Sequence, residues 1–145
     1  MKKSIFLAAL VLMSAGCFAQ KANVSKARGL ADAETPDYAG ARAAIAEALQ
    51  NEETKEQANT WYVAGFIGYK EFETANLNRQ IGRNIDFDQW GAAVYESVGY
   101  WDKAYELAMI PTYDKKGKAK YDTRTPKNIL PKLQEYFMYQ PLIIA

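Results

Sequence analysis

Along most of this chain, apolar residues recur at intervals of three and four, the period of amphipathic helices. Tyr38, Ala41, Ile45, Ala48 and Leu49 share one such face, which predicts a helix running to about Gln50. Thr35-Pro36-Asp37 ahead of it reads as a helix start, with the Thr35 hydroxyl as N-cap and proline at the first helical position. Further upstream, Val24 to Ala33 predicts a short helix weakened by Gly29. After the turn Asn51-Glu52-Glu53, Thr54 caps a third helix with Gln57 as its capping-box partner. That helix, about Lys55 to Thr74, lines up Ala58, Trp61, Tyr62, Gly65, Tyr69 and Phe72 on one broad face. Gly65 and Gly68 inside it each cost roughly 1 kcal/mol relative to alanine, so a neighbouring helix backbone is expected to come close there.

Asn76 to Asp88 predicts a loop, with Asp88 capping a fourth helix over about Gln89 to Met109. The stripe of that helix is Trp90, Val94, Val98, Trp101, Tyr105 and Ala108. Pro111 closes it. Thr112 to Asp122 then predicts a β-hairpin, in which Asp114 opens the turn and Gly117 supplies the left-handed position. Thr125-Pro126 repeats the helix-start signature, and a fifth helix carries Ile129, Leu130, Leu133, Tyr136 and Phe137. A proline inside a helix clashes with the preceding turn, so Pro131 argues for a helix beginning near itself, with 125–130 as a separate turn. The apolar end from Tyr139 to Ala145 reads as a repeat array cut short, or as a tail packed on a partner.

The first nineteen residues change the picture most. Lys2 and Lys3, an apolar run from Ile5 to Ala15 and the exit Gly16-Cys17-Phe18-Ala19 form a secretory signal too short to span a membrane. The expected organisation is a signal peptide over 1–19 and a single domain over 20–145. A competing reading makes Cys17 a lipidation site, although Ser14 stands where lipoprotein signals usually carry leucine. Cys17 is the sole cysteine, so the mature domain has no disulfide and relies on packing. Without Lys2 and Lys3 the net charge falls from +1 to −1, which leaves no global field for nucleic acid. With 49% apolar residues there is ample core material, which excludes a disordered linker.

The chain contains no histidine, which excludes Ser–His and Cys–His nucleophile pairs and histidine metal sites. Gly65-Phe-Ile-Gly68 falls within a helix and is not a phosphate loop. Asp86 and Asp88 suit helix capping or weak cation binding; Glu71 with Glu73, and Glu52 with Glu53, read as solvated faces. No catalytic residue, cofactor or metal is expected. Lys115, Lys116, Lys118, Lys120, Arg124, Lys127 and Lys132 form a local basic cluster. It fits either protection of a hairpin edge or contact with anionic headgroups or an acidic partner. The tryptophans and tyrosines on the stripes are core candidates. Trp90 at a loop–helix junction and Tyr113 and Tyr121 on the hairpin are the candidates for stacking on a sugar.

Trp61-x-x-Ala64-Gly65 matches the first-helix pattern of a tetratricopeptide repeat, and Ala41-x-x-x-Ile45-x-x-Ala48 the second-helix pattern. Tyr100-Trp101-Asp102-Lys103-Ala104 is a further second-helix entry of that kind. On these residues the chain resembles a family of exported tetratricopeptide-type proteins of Gram-negative bacteria, over most of its length after the signal. Members are usually longer, so the resemblance implies a fragment or truncated member. It also implies an all-α fold of antiparallel helix pairs, about five helices after the signal with one short β-hairpin near 112–122. The function implied is a non-enzymatic scaffold in the periplasm, secreted or held at the envelope, taking a peptide or protein partner. Asn59, Tyr62, Phe66 and Tyr69 are the expected partner-binding residues. The alternative is a carbohydrate-binding accessory protein using Trp90, Tyr113 and Tyr121. Nucleic acid is not expected as a partner, and a membrane is expected only through lipid on Cys17.

Overall fold

The computed structural model describes the backbone of residues 21–144 and the side chains as far as Tyr139. The expected signal peptide over 1–19, the lipidation reading of Cys17 and the tail side chains beyond Tyr139 lie outside the described residues. The fold is all-α with one small antiparallel hairpin. Helix α1 occupies 21–31. It is followed by α2 (Tyr38–Gln50), α3 (Ala58–Gln80), α4 (Phe87–Ala108), strands β1 (Thr112–Tyr113) and β2 (Ala119–Lys120), and α5 (Arg124–Ile144).

Helix α3 is the axis of the molecule. Every residue from Tyr62 to Tyr69 is buried, the signature of a helix covered on all sides rather than on one stripe. α2, α4 and α5 pack around it, and Val24, Ala27 and Ala31 of α1 join the same core. The two glycines act as expected. A Cβ at Gly68 would stand 2.6 Å from the Ala93 carbonyl and 2.7 Å from Ser97 Oγ; one at Gly65 would collide with the Trp101 ring. The space left at Gly65 lets the Trp101 indole N–H donate to the Tyr62 carbonyl at 3.1 Å.

Aromatic rings fill the rest. Phe72 stacks on Trp90 (centroids 5.6 Å) and meets Tyr136 of α5 edge-on at 4.7 Å, while Trp101 stacks on Tyr136 at 5.9 Å. Such pairs contribute about 0.5–1.5 kcal/mol each beyond the area they bury.

Several boundaries differ from expectation, each for a local reason. Asp37, not Thr35, caps α2: its carboxylate accepts the Gly40 N–H at 2.8 Å. Thr54 closes the helix behind it instead of opening the one ahead, its buried hydroxyl donating to the Ala48 carbonyl at 2.6 Å. α3 begins after Gln57, whose side chain makes no cap bond. The loop expected from Asn76 starts only after Gln80. Gly82 there adopts φ 77°, and the Ile81 and Gly82 N–H groups turn back to Leu77 and Arg79, a glycine stop at the helix end. Asp86 rather than Asp88 caps α4, accepting the Asp88 and Gln89 N–H groups at 3.0 Å each. Val98 and Tyr105, expected on the buried stripe of α4, are exposed, while Ala93, Ser97, Ala104 and Leu107 are buried.

The hairpin forms as expected, with Thr112 opposite Lys120 and Tyr113 opposite Ala119. Asp114 accepts the Lys116 and Lys118 N–H groups, and Gly117 takes φ 75°. α5 is continuous through Pro131 and starts at Arg124. The Asp122 carboxylate accepts the Arg124 and Thr125 N–H groups and the Thr125 hydroxyl, and burial of Ile129 and Tyr136 holds the helix against α3 and α4. Against the raising effect of partial burial, those bonds keep Asp122 below its ordinary carboxylate value.

Candidate functional site

The expected partner-binding set does not form a groove. Asn59 is exposed near the start of α3, but Tyr62, Phe66 and Tyr69 are buried beneath the surrounding helices. Tyr62 stacks against Trp101, and Arg28 of α1 lies over the Phe66 ring at 5.4 Å. Their place in the stretch 62–69, buried on every side, makes them core. Trp90 is likewise withdrawn from sugar stacking: at 1% exposure, it is sandwiched by Phe72, Phe87 and Arg79. Tyr113 and Tyr121 stand exposed on the hairpin.

Two clefts flank the second half of α3. The first, about 250 Å³, is lined among others by Tyr38, Glu71, Thr74, Asn84, Asp86 and Gln89. Most of its polar groups are already engaged within the chain. Glu71 binds Arg42 through one oxygen and the Gln89 side chain through the other. Asp86 caps α4, and the Tyr38 hydroxyl donates to the Lys70 carbonyl at 2.9 Å. Glu71 is thus buried and paired, not on a solvated face as its sequence neighbours suggested. Arg42 reaches on to Glu96, so one guanidinium ties α2, α3 and α4 together. Donating hydrogen bonds to Glu96 first, then to Glu71, raises the arginine further above its usual value than burial lowers it. Local sequence carries no sign of this node, because its members are 29 and 54 residues apart.

The second cleft, about 370 Å³, is bounded by Lys70, Glu73, Thr74, Asn76, Leu77, Gln80 and Glu135. Lys70 pairs with Glu73 at 2.7 Å and Asp32 at 3.2 Å. The Tyr69 hydroxyl lies 2.9 Å from Glu73 and 2.7 Å from Glu135, so its one proton serves either carboxylate in turn. Burial, then these two anions, pushes the Tyr69 phenol up. Lys132 sits over the same ring at 5.0 Å. This constellation clamps α5 to α3. Among the described residues no three Asp, Glu, His or Cys side chains converge as a metal site.

Among the described residues the outer face of α4 is left uncovered, as are Leu130, Phe137 and Met138 of α5. Tyr95, Val98, Tyr105 and Met109 are exposed, with Asp102 between them, so positions 95, 98, 102, 105 and 109 alternate three and four apart. This is the heptad spacing of a seam between two helices. Ala92 and Gly99 lie beside the stripe, also exposed. A Cβ at Gly99 would meet nothing within 4 Å, in contrast to Gly65 and Gly68, which are filled from within the chain. Val98 and Tyr105, which the sequence pattern places on the buried stripe of α4, belong instead to this outer one. Compared with protein-family models, curated proteins and solved structures, the chain matches none.

Proposed function

We propose that this protein is a non-enzymatic interaction scaffold of the cell envelope, which takes a peptide or protein partner on the outer face of α4. The observation that carries the reading is the exposed heptad stripe, with Tyr95 at 74% exposure in its first position. Large exposed aromatics on a rigid helix are anchors of the kind that dominate interface energetics. Gly99 beside the stripe lets a partner backbone approach closely, and Asp102 in the middle favours a partner carrying a cation opposite it. Tetratricopeptide kinship and envelope location rest on the residues quoted above.

The test is a photoreactive residue placed at position 98 or 105, with exposed Ala46 on α2 as the control. The expected result is one discrete adduct from both α4 positions, absent at position 46 and lost on adding Tyr95→Asp. Labelling at position 46 equal to that on α4 refutes the reading.

A further inference from the structure

A second surface is assembled where α4 passes into the hairpin. The Asp122 N–H donates to the Ala108 carbonyl at 3.3 Å, which seats the returning strand on the end of α4. Met109, Ile110, Tyr113 and Tyr121 are therefore gathered at one junction, and all four are exposed, Tyr113 at 69% and Tyr121 at 53%. Strand alternation from the Tyr113–Ala119 pair points Tyr113 and Tyr121 to the same side of the hairpin, with Lys120 on the other.

Charge on this segment is lopsided. Between 109 and 127, Lys115, Lys116, Lys118, Lys120, Arg124 and Lys127 face only Asp114 and Asp122. The segment thus carries +4 in a chain whose net charge is +1. Both carboxylates are turned to backbone N–H groups, Asp114 to the turn and Asp122 to the start of α5. The hairpin lysines form no salt bridge among the described residues. Protecting the hairpin edge accounts for lysines. It does not account for two exposed tyrosines beside them.

Tyrosine is enriched where hydrocarbon meets water, with its ring in the apolar layer and its hydroxyl among headgroups. Lysine with an uncommitted ammonium is drawn to anionic headgroups, and its long stem lets it reach them from the flank of a buried face. We propose that the hairpin and the end of α4 form a docking surface for an anionic lipid membrane. The tyrosine-bearing face meets the interface, and Lys115, Lys116 and Lys118 at the tip contact headgroups. Lys118 shares the far face with Lys120 but lies beside the turn, where its stem reaches round the tip; Lys120, further back on that face, contributes least. This surface shares only Met109 with the α4 stripe, and its test changes none of the stripe residues used in the partner test above.

The measurement is co-sedimentation of the chain carrying Cys17→Ser, which removes any lipid anchor, with phosphatidylglycerol-containing vesicles and with pure phosphatidylcholine vesicles. Binding to the anionic vesicles alone is expected, weakening as salt is raised. At about a fivefold effect per lysine near the surface, Lys115→Gln, Lys116→Gln and Lys118→Gln together lower partitioning roughly a hundredfold. Tyr113→Ser and Tyr121→Ser each lower it several-fold, and Lys120→Gln less than any single tip substitution. All these positions are exposed, and circular dichroism checks that each variant keeps its helices. Equal binding to both vesicle types, or undiminished binding of the triple variant, overturns the proposal. So does indifference to both tyrosine changes combined with full competition by soluble polyglutamate, which assigns the patch to an acidic polypeptide instead.

Discussion

Removing the Arg42 guanidinium tests whether the α2–α3–α4 assembly depends on a charge node. In Arg42→Met the aliphatic stem is largely kept, while Glu71 and Glu96 lose their shared cation. A fully exposed pair would contribute about 0–1 kcal/mol, whereas breaking a buried one costs about 3–5 kcal/mol. The three side chains are 36%, 12% and 24% exposed, which places the node between those limits. The expected loss is about 2–3 kcal/mol, because Glu71 is left in the core with Gln89 as its remaining donor. Urea denaturation followed by circular dichroism reads it directly. The decisive result is a double-mutant cycle with Glu71→Gln. Alone, that change loses a charge-assisted bond and destabilises. In the Arg42→Met background it removes an unpaired buried charge and restores stability, a change of sign. A loss under about 0.5 kcal/mol for Arg42→Met, or additive effects in the cycle, would refute the argument.

The glycines give opposite expectations. Gly68→Ala drives a Cβ against the Ala93 carbonyl and is expected to cost about 2–3 kcal/mol. Gly99→Ala fills open space and is expected to stabilise by about 0.5–1 kcal/mol; a raised melting temperature for Gly68→Ala or a lowered one for Gly99→Ala would contradict the respective expectation. Pro131→Ala is expected to stabilise by about 2 kcal/mol, the helix-interior penalty less the entropy that proline removes from the unfolded chain; a lower melting temperature would show that the ring itself is needed. Burial raises the phenols of Tyr69 and Tyr136. Their contribution to stability is therefore complete below about pH 10 and is lost as pH rises through the folded values. Phenolate absorbance should show a late titrating fraction that coincides with loss of helical signal; one reversible step for all ten tyrosines with helices intact would rule this out.

Much of the fold was legible because the deciding physics is local. A left-handed glycine after Asp114 specifies the hairpin, and glycines spaced within an apolar helix announce a close neighbour. Errors in the boundaries came from competing local signals. Thr54 has the chemistry of an N-cap, but a carbonyl at the end of α2 takes its hydroxyl. Gly82 was available as the stop for α3, with Arg79 in the last turn, and marks the boundary better than the polar run before it. Pro131 carries a real local penalty, which the burial of Ile129 and Tyr136 on either side of it offsets.

Candidate binding residues were less legible, for a reason built into periodicity. A repeat of 3.6 identifies an apolar face and not what covers it. α4 has two such faces: Trp90, Val94 and Trp101 inside, and Tyr95, Val98 and Tyr105 outside. The stretch 61–69 of α3 is apolar all round, so its pattern does not separate groove residues from core, and Tyr62, Phe66 and Tyr69 belong to the core. By itself, the sequence determined the all-α class, the hairpin and its turn, the aromatic content of the core and a close helix approach at Gly65 and Gly68, though not that the neighbour is α4. Only the tertiary structure decided which helix lies at the centre, that Arg42 joins three helices, and that the second face of α4 is left bare. Those outcomes depend on contacts between residues tens of positions apart, which no local pattern records.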